Sequence, residues 1–284
     1  MRPIISDPSG NERNVFNQNI AAQNVTLKRL STGLRINSGV DDPAGLIASE
    51  NLRAVLATLE AESRGIERAD AVTRTADGAL EEVSSLLRRA ESLAVANAGD
   101  GISDAEREAN QLEIDSILQS ADRIAYTTEF NGQRLLDGSF SARAVGESLD
   151  IESALVRDLG ETIVDEGGPN EEVYDLSDVF SGAPLDTTSG DVSIAVSVIR
   201  EAGATVAAIR GSLGSFSSNT LGAERARIGA AIENVSAAES LIRDADFAEE
   251  TSNLARQGVL ADSSRAAIGI ANTSDSQILS LLLG

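Results

Sequence analysis

NLRAVLATLEAESRGIERADAVTRTADGALEEVSSLLRRAESLAVAN, residues 51–97, places Leu52, Leu59, Ile66, Thr73, Leu80, Leu87 and Ala94 at a strict interval of seven. Val55, Ala69, Ala76, Val83 and Ala90 stand three residues after most of these, with Glu62 the exception. A seven-residue repeat with small companions is the signature of a long helix in a closely packed seam. Asp41-Asp42-Pro43 marks its start, because proline at a first helical position gives up an N–H that would have no partner there. Asn97 to Gly101 marks its end.

Toward the N-terminus, Phe16, Ile20, Leu27, Leu30 and Leu34 form a second helical stripe within residues 12–35. Toward the C-terminus, Ser103-x-x-Glu106 reads as a capping box, and Ile114, Ile117, Leu118, Ala121, Ile124 and Ala125 share one face behind it. Tyr126 to Gly132 then breaks the helical period with aromatic, Thr and Asn-Gly signals that favour a hairpin. Residues 141–190 hold 12 acidic and 2 basic residues, and they read as a short, acidic, exposed module of strands and loops. Helical periodicity resumes with Ile199, Val206 and Leu213. It shifts by one position and continues through Leu221, Ile228, Val235 and Ile242. A last stripe runs Phe247, Leu254, Ala261 and Ile268, and the chain closes on Ile278, Leu279 and Leu282.

The expected fold is mainly all-α. Antiparallel helices from the two ends of the chain form a long coiled-coil-like rod, and the β/loop module makes the turn at mid-chain. The expected divisions are 1–43 and 243–284 for an inner assembly domain, 44–140 and 191–242 for the rod, and 141–190 for the exposed module. Replacing that module by a short turn is expected to leave assembly intact. The rod seam is assigned to Leu52, Leu59, Ile66, Leu80, Leu87, Ile199, Val206 and Leu213.

Composition narrows the function. The chain has no His and no Cys, which removes Ser-His and Cys-His nucleophiles and nearly all zinc sites. Aromatic residues make up only 3%, too few for an ordinary ligand pocket, so a carboxylate-pair hydrolase is disfavoured. The cluster Asp165, Glu166, Glu171 and Glu172 lacks the ligand spacing of a calcium loop and reads as a solvated acidic loop. No cofactor is expected and the chain is not expected to be an enzyme. The net charge of −22 disfavours nucleic acid and anionic membrane surfaces, and no apolar run is expected to span a bilayer. Met1 to Asp7 carries no signal-peptide core, so export, if it occurs, is expected to need no cleaved leader. Amphipathic helices at both ends, with nothing obvious to cover them, point to head-to-tail self-association.

Several stretches resemble bacterial flagellin. They are Leu30-Ser31-Thr32-Gly33-Leu34-Arg35-Ile36-Asn37-Ser38, Asp41 to Leu46, Asp122 to Gly132, Leu135 to Gly138, Ser236 to Glu250, and Ser276 to Leu283. The resemblance implies a structural subunit that self-assembles into an extracellular flagellar filament for swimming motility. A hook–filament junction (hook-associated) protein of the same superfamily is the alternative, which the Ile242 to Asp246 stretch disfavours. It further implies assembly contacts at Phe16, Ile20, Leu27, Leu30, Leu34, Phe247, Leu254, Ile268, Ile278, Leu279 and Leu282. The implied partners are further copies of the chain, an export chaperone, the filament cap and hook-associated proteins. Arg89, Leu93 and Glu113 match innate-immune receptor contacts of the family. Glu91 and Ser92 depart from that pattern, and ordinary solvated charges are the competing reading.

Overall fold

A computed structural model describes residues 8–99, 101–144, 147–164 and 172–283. Its elements are α1 (Pro8–Thr32), α2 (Pro43–Asn97), α3 (Asp104–Thr127), the pair β1 (Glu129–Phe130) and β2 (Gln133–Arg134), and the pair β3 (Ser141–Ala144) and β4 (Glu147–Asp150). The pair β5 (Thr162–Val164) and β6 (Glu172–Tyr174) follows, then α4 (Val192–Ser215), α5 (Gly222–Arg243) and α6 (Phe247–Leu283). Each strand pair is an isolated antiparallel two-stranded ladder. The architecture is mainly α, as the periodicity requires.

The chain divides into two units, residues 60–230 and residues 1–59 with 231–284. In the first, α2 runs antiparallel to α3 and to α4: Arg89 pairs with Glu113, and Arg210 and Arg200 reach Asp77 and Glu91. Ile66, Ala76, Leu80, Val83, Leu87, Ala90 and Ala94 are buried, as are Ile199, Val206 and Leu213 on α4. Leu59 is buried, Leu52 half-buried and Val55 exposed, so the seven-residue column closes only from Leu59 onward. The capping box forms as read, with Glu106 N donating to Ser103 Oγ and Ser103 N donating to the Glu106 carboxylate.

The one-residue shift between Leu213 and Leu221 has a local cause. Phe216–Leu221 winds as a π-helix, which takes up one extra residue per turn and returns Leu221 to the buried side. The continuous helix Val192–Arg243 is apolar enough by length and composition to cross a membrane, contrary to expectation; Ala195, Val198, Ile199 and Ala202 on it are buried in the core.

The exposed module is corrected. Leu149, Ile151, Leu155, Val156, Leu159, Leu176, Val179 and Leu185, all within 141–190, belong to the same core cluster as Leu80 and Ile199. A buried polar network fixes the segment further. Gln111 Nε2 donates to the Val179 carbonyl (2.8 Å), Gln111 Oε1 accepts from Thr187 N (2.9 Å), and Asn97 Nδ2 donates to Thr187 Oγ1 (2.7 Å). Asp150, Glu152, Asp158, Glu161 and Glu172 are exposed while Asp186 is buried, and the number of acidic residues masked an apolar set facing inward. The cluster at Asp165, Glu166 and Glu171 lies outside the described residues.

Candidate self-assembly surface

In the unit formed by the two ends of the chain, α1 and α6 pack antiparallel. Asn19 Nδ2 donates to Ser264 Oγ (2.9 Å), and Arg29 Nη1 reaches Glu250 Oε1 (3.0 Å). The connectors bind each other as well. Arg35 N donates to the Arg243 carbonyl (2.7 Å), Arg35 Nη2 to the Ile242 carbonyl (2.6 Å), and Ala245 N to the Gly33 carbonyl (2.9 Å). Arg243 Nη1 meets Glu50 at 2.9 Å. These contacts hold the first turns of α2 and the end of α5 with the terminal helices, in the unit of residues 1–59 and 231–284.

The connector is built from its own sequence. Asp41 Oδ2 accepts from Asn37 N, Ser38 N and Ser38 Oγ, and these bonds hold the Asp41 carboxyl below its ordinary pKa. Asp42 Oδ1 accepts from Gly45 N (2.9 Å) at the start of α2. Ile36, 1% exposed, seals the turn. Sequence reasoning passed over Ile36 because it lies outside any periodic stripe.

The seam between α1 and α6 is polar along much of its length. On α1 the covered positions step by four and three through Glu12, Phe16, Asn19, Gln23, Thr26 and Leu30. On α6 they run Glu250, Leu254, Gln257, Ala261, Ser264 and Ile268. One column of each helix therefore carries Glu, Asn, Thr, Gln or Ser, and the other mostly apolar groups. Phe16, Ile20, Leu30, Leu34, Leu254 and Ile268 are half-buried in this unit. Leu27 and Phe247 are not covered: Leu27 is 46% exposed, because Thr26, one residue and about 100° away, takes the seam position, and Phe247 is 56% exposed beside Gly33. Val15, Val25, Val259, Leu260 and Ile270 are likewise exposed on α1 and α6. The side chains of Ile278, Leu279 and Leu282 lie outside the described residues, although α6 carries their backbone to Leu283.

Arg89 and Glu113 are brought together as an ion pair between α2 and α3, and Leu93 packs half-buried against the core. No group of three or more metal-ligating side chains occurs among the described residues.

A helix pair whose seam is partly polar while large apolar groups stay exposed defines a class: helical proteins whose terminal segments are finished by contact with other chains. The family follows from comparison. Residues 8–141 match the family model described as the bacterial flagellin N-terminal helical region, and residues 196–282 match the bacterial flagellin C-terminal helical region. The chain is similar to a flagellin of Bacillus subtilis (strain 168), 31% identical with 96% of each chain covered. It is also similar to a flagellar filament 30.7 kDa core protein of Treponema maltophilum, 30% identical with 90% of each covered. A solved structure from Vibrio parahaemolyticus described as a flagellar hook-associated protein shares the fold (TM-score 0.52, 14% identity, 72% of this chain and 99% of that one covered). The chain belongs to the bacterial flagellin family.

Proposed function

We propose that this chain is a structural subunit of a bacterial flagellar filament, which works outside the cell by polymerising with further copies of itself. The observation that carries the reading is that Val15, Val25, Leu27, Val259, Leu260 and Ile270 stay exposed on a helix pair whose own seam is partly polar. Covering those groups removes apolar area from water, and a net charge of −22 keeps free subunits apart until specific faces meet. The full-length relatives are named as flagellins or filament core proteins, which favours the filament over the hook–filament junction.

On this reading Phe16, Ile20, Leu30, Leu34, Leu254 and Ile268 shape the inner helix pair. Leu27 and Phe247, with Ile278, Leu279 and Leu282, meet neighbouring subunits. An export chaperone on α6, a filament cap and hook-associated proteins are the further partners. Receptor recognition through Arg89, Leu93 and Glu113 requires a partner that accommodates the existing Arg89–Glu113 pair; a reporter-cell response to micromolar monomer would support it, and silence would end it.

Electron microscopy of the purified chain after seeding tests the main claim. Long filaments are expected from the full chain, and none from a chain lacking residues 275–284. Normal filaments from the truncation, or none from the full chain, would overturn it.

A further inference from the structure

The unit of residues 60–230 holds 32 acidic and 14 basic residues, so it carries 18 of the chain's 22 net negative charges. Two such surfaces repel each other wherever they approach. One place on the unit runs the other way. A concavity of about 710 Å³ lies between α3, the loop after β2 and the turn Val156–Asp158, and Arg123, Arg134 and Arg157 all line it. The Arg134 guanidinium is stacked 3.8 Å from the centroid of the Tyr126 ring, which holds its planar fork in one orientation. Its Nη1 is 3.9 Å from Asp137, and Arg157 Nε is 3.6 Å from Asp158, both too long for hydrogen bonds. Arg123 is exposed and makes no ion pair among the described residues. The two aspartates that share the lining are engaged within the chain. Asp122 Oδ1 accepts from Val156 N (3.2 Å), and Asp137 Oδ1 accepts from Ser139 N (3.1 Å) and Ser139 Oγ (2.6 Å). Three guanidinium groups therefore line one concavity without a hydrogen bond to any carboxylate among the described residues.

We infer that this concavity is a contact site for a second copy of the chain, and that it receives one of that copy's exposed Asp or Glu side chains. Charge selects the occupant. Planar guanidinium groups match a carboxylate, and 45 of the chain's own residues carry one. A free anion would meet the field of the whole acidic unit with nothing else to hold it. A neighbouring subunit already held by apolar contact brings its carboxylates to the surface at high effective concentration. At that contact the arginines turn a like-charge clash into a pairing, and they favour a packing that places a carboxylate there over one that does not. The site rests on the filament reading, and it adds a polar contact on the unit that does not hold the termini.

Arg123→Glu with Arg157→Glu reverses the charge at two exposed positions and leaves the Arg134–Tyr126 stack in place. The dissolved variant should melt as the unmodified chain does. Its critical concentration for polymerisation at about 50 mM salt should rise at least about tenfold, and the gap should shrink to about threefold or less at about 1 M salt, where screening acts over about 3 Å. If the reversed chain melts early, Arg123→Gln with Arg157→Gln takes its place, with a rise of at least about threefold expected. An unchanged critical concentration, or a deficit that ignores salt, overturns the inference. A second readout identifies the occupant. Lys28 is the chain's one lysine, so Lys28→Arg with Arg123→Lys puts the sole side-chain amine in the concavity. A water-soluble carbodiimide couples an amine to a carboxylate in contact with it. Filaments of this variant should yield covalent dimers, joined from the substituted position to an Asp or Glu of another copy. Dissolved subunits, and filaments of Lys28→Arg alone, should not. Dimers no more abundant than in that control also overturn the inference. Failure of the unmodified chain to polymerise would sink the filament reading and this contact with it, whereas a polymerising chain with indifferent variants sinks the contact alone.

Discussion

Gly45 and Ile36 meet so closely that a β-carbon on Gly45 would lie 2.6 Å from Ile36 Cδ1, and it would also run into the Asp42 carboxylate. The run Asp41-Asp42-Pro43-Ala44-Gly45 is thus a single device. Asp41 and Asp42 bind backbone N–H groups, Pro43 opens the helix, and Gly45 leaves room for the one fully buried side chain of the connector. Gly45→Ala is expected to destabilise the unit containing both termini by about 1–3 kcal/mol through overpacking. Gly65, with open space around it in the same helix, is the control: Gly65→Ala should be neutral or stabilising by up to about 1 kcal/mol. Thermal unfolding followed by circular dichroism separates the two.

Leu80 and Leu27 were read from the same kind of stripe, and the structure gives them opposite roles. Leu80 is fully buried in the three-helix core, so Leu80→Ala should cost about 2–5 kcal/mol in the free subunit. Leu27 is 46% exposed, so Leu27→Ala should change subunit stability by no more than about 0.5 kcal/mol. Its effect should appear in polymerisation, as slower growth and a higher critical concentration. Chemical denaturation and a sedimentation assay on both variants would check the pair; a Leu27→Ala chain that unfolds early would place that side chain in the subunit core instead.

These comparisons show how far the sequence carries. The seven-residue interval through Leu59, Ile66, Leu80 and Leu87 was legible because both sides of that seam lie in one chain and leave a strict apolar period. The capping box at Ser103 and Glu106 was legible because its partners are three residues apart. The α1–α6 seam was legible only in part, since seven of its twelve covered positions are Glu, Asn, Gln, Thr or Ser, which a search for apolar stripes skips in favour of Leu27. The inward face of 141–190 was hidden for a related reason. Its strands are three or four residues long, too short to establish a period, and its charge dominates the composition. The Gln111–Thr187 and Asn97–Thr187 bonds span 76 and 90 residues, a pairing that only the fold reveals.

Because that segment is part of the core, replacing residues 141–190 by a short turn should unfold the unit comprising residues 60–230, contrary to the expectation from composition. A gentler probe is its acid sensitivity. Burial of Asp186 pushes its pKa up, but bonds from the Thr188 hydroxyl, Gly182 N and Thr188 N outweigh burial and leave the pKa below the ordinary value. A depressed carboxylate pKa contributes stability above the ordinary pKa, and that contribution fades as pH falls through the lower, folded-state value. Asp186→Asn offers one acceptor oxygen where the carboxylate offers two. The variant should therefore melt lower than the unmodified chain at pH 7, with the gap closing below about pH 4. An equal gap at pH 7 and pH 3 would remove Asp186 from the acid response.

The π-helix at Phe216–Leu221 makes the sharpest prediction, because it reverses the usual outcome of a deletion. In an α-helix each residue turns the chain by about 100°, so removing one rotates everything downstream and takes buried positions out of the core. Between Leu213 and Leu221 the chain already holds one residue more than a heptad, wound into the wider turn, and both ends stay buried at 1% and 0% exposure. Deleting the exposed Asn219 should let that turn relax into ordinary α-helix with Leu213 and Leu221 seven apart and still inward. The cost should be within about 1 kcal/mol, because the chief losses are the bond from Asn219 Nδ2 to Ser215 Oγ and an adjustment of Ser217 on Asp70. Deleting the exposed Ala207, two turns upstream in regular helix, should instead displace Ile209 and Leu213 from the core and cost several kcal/mol. Circular dichroism melts of the two deletions give the comparison, and equal damage from both would mean that the π turn is not where the extra residue is stored.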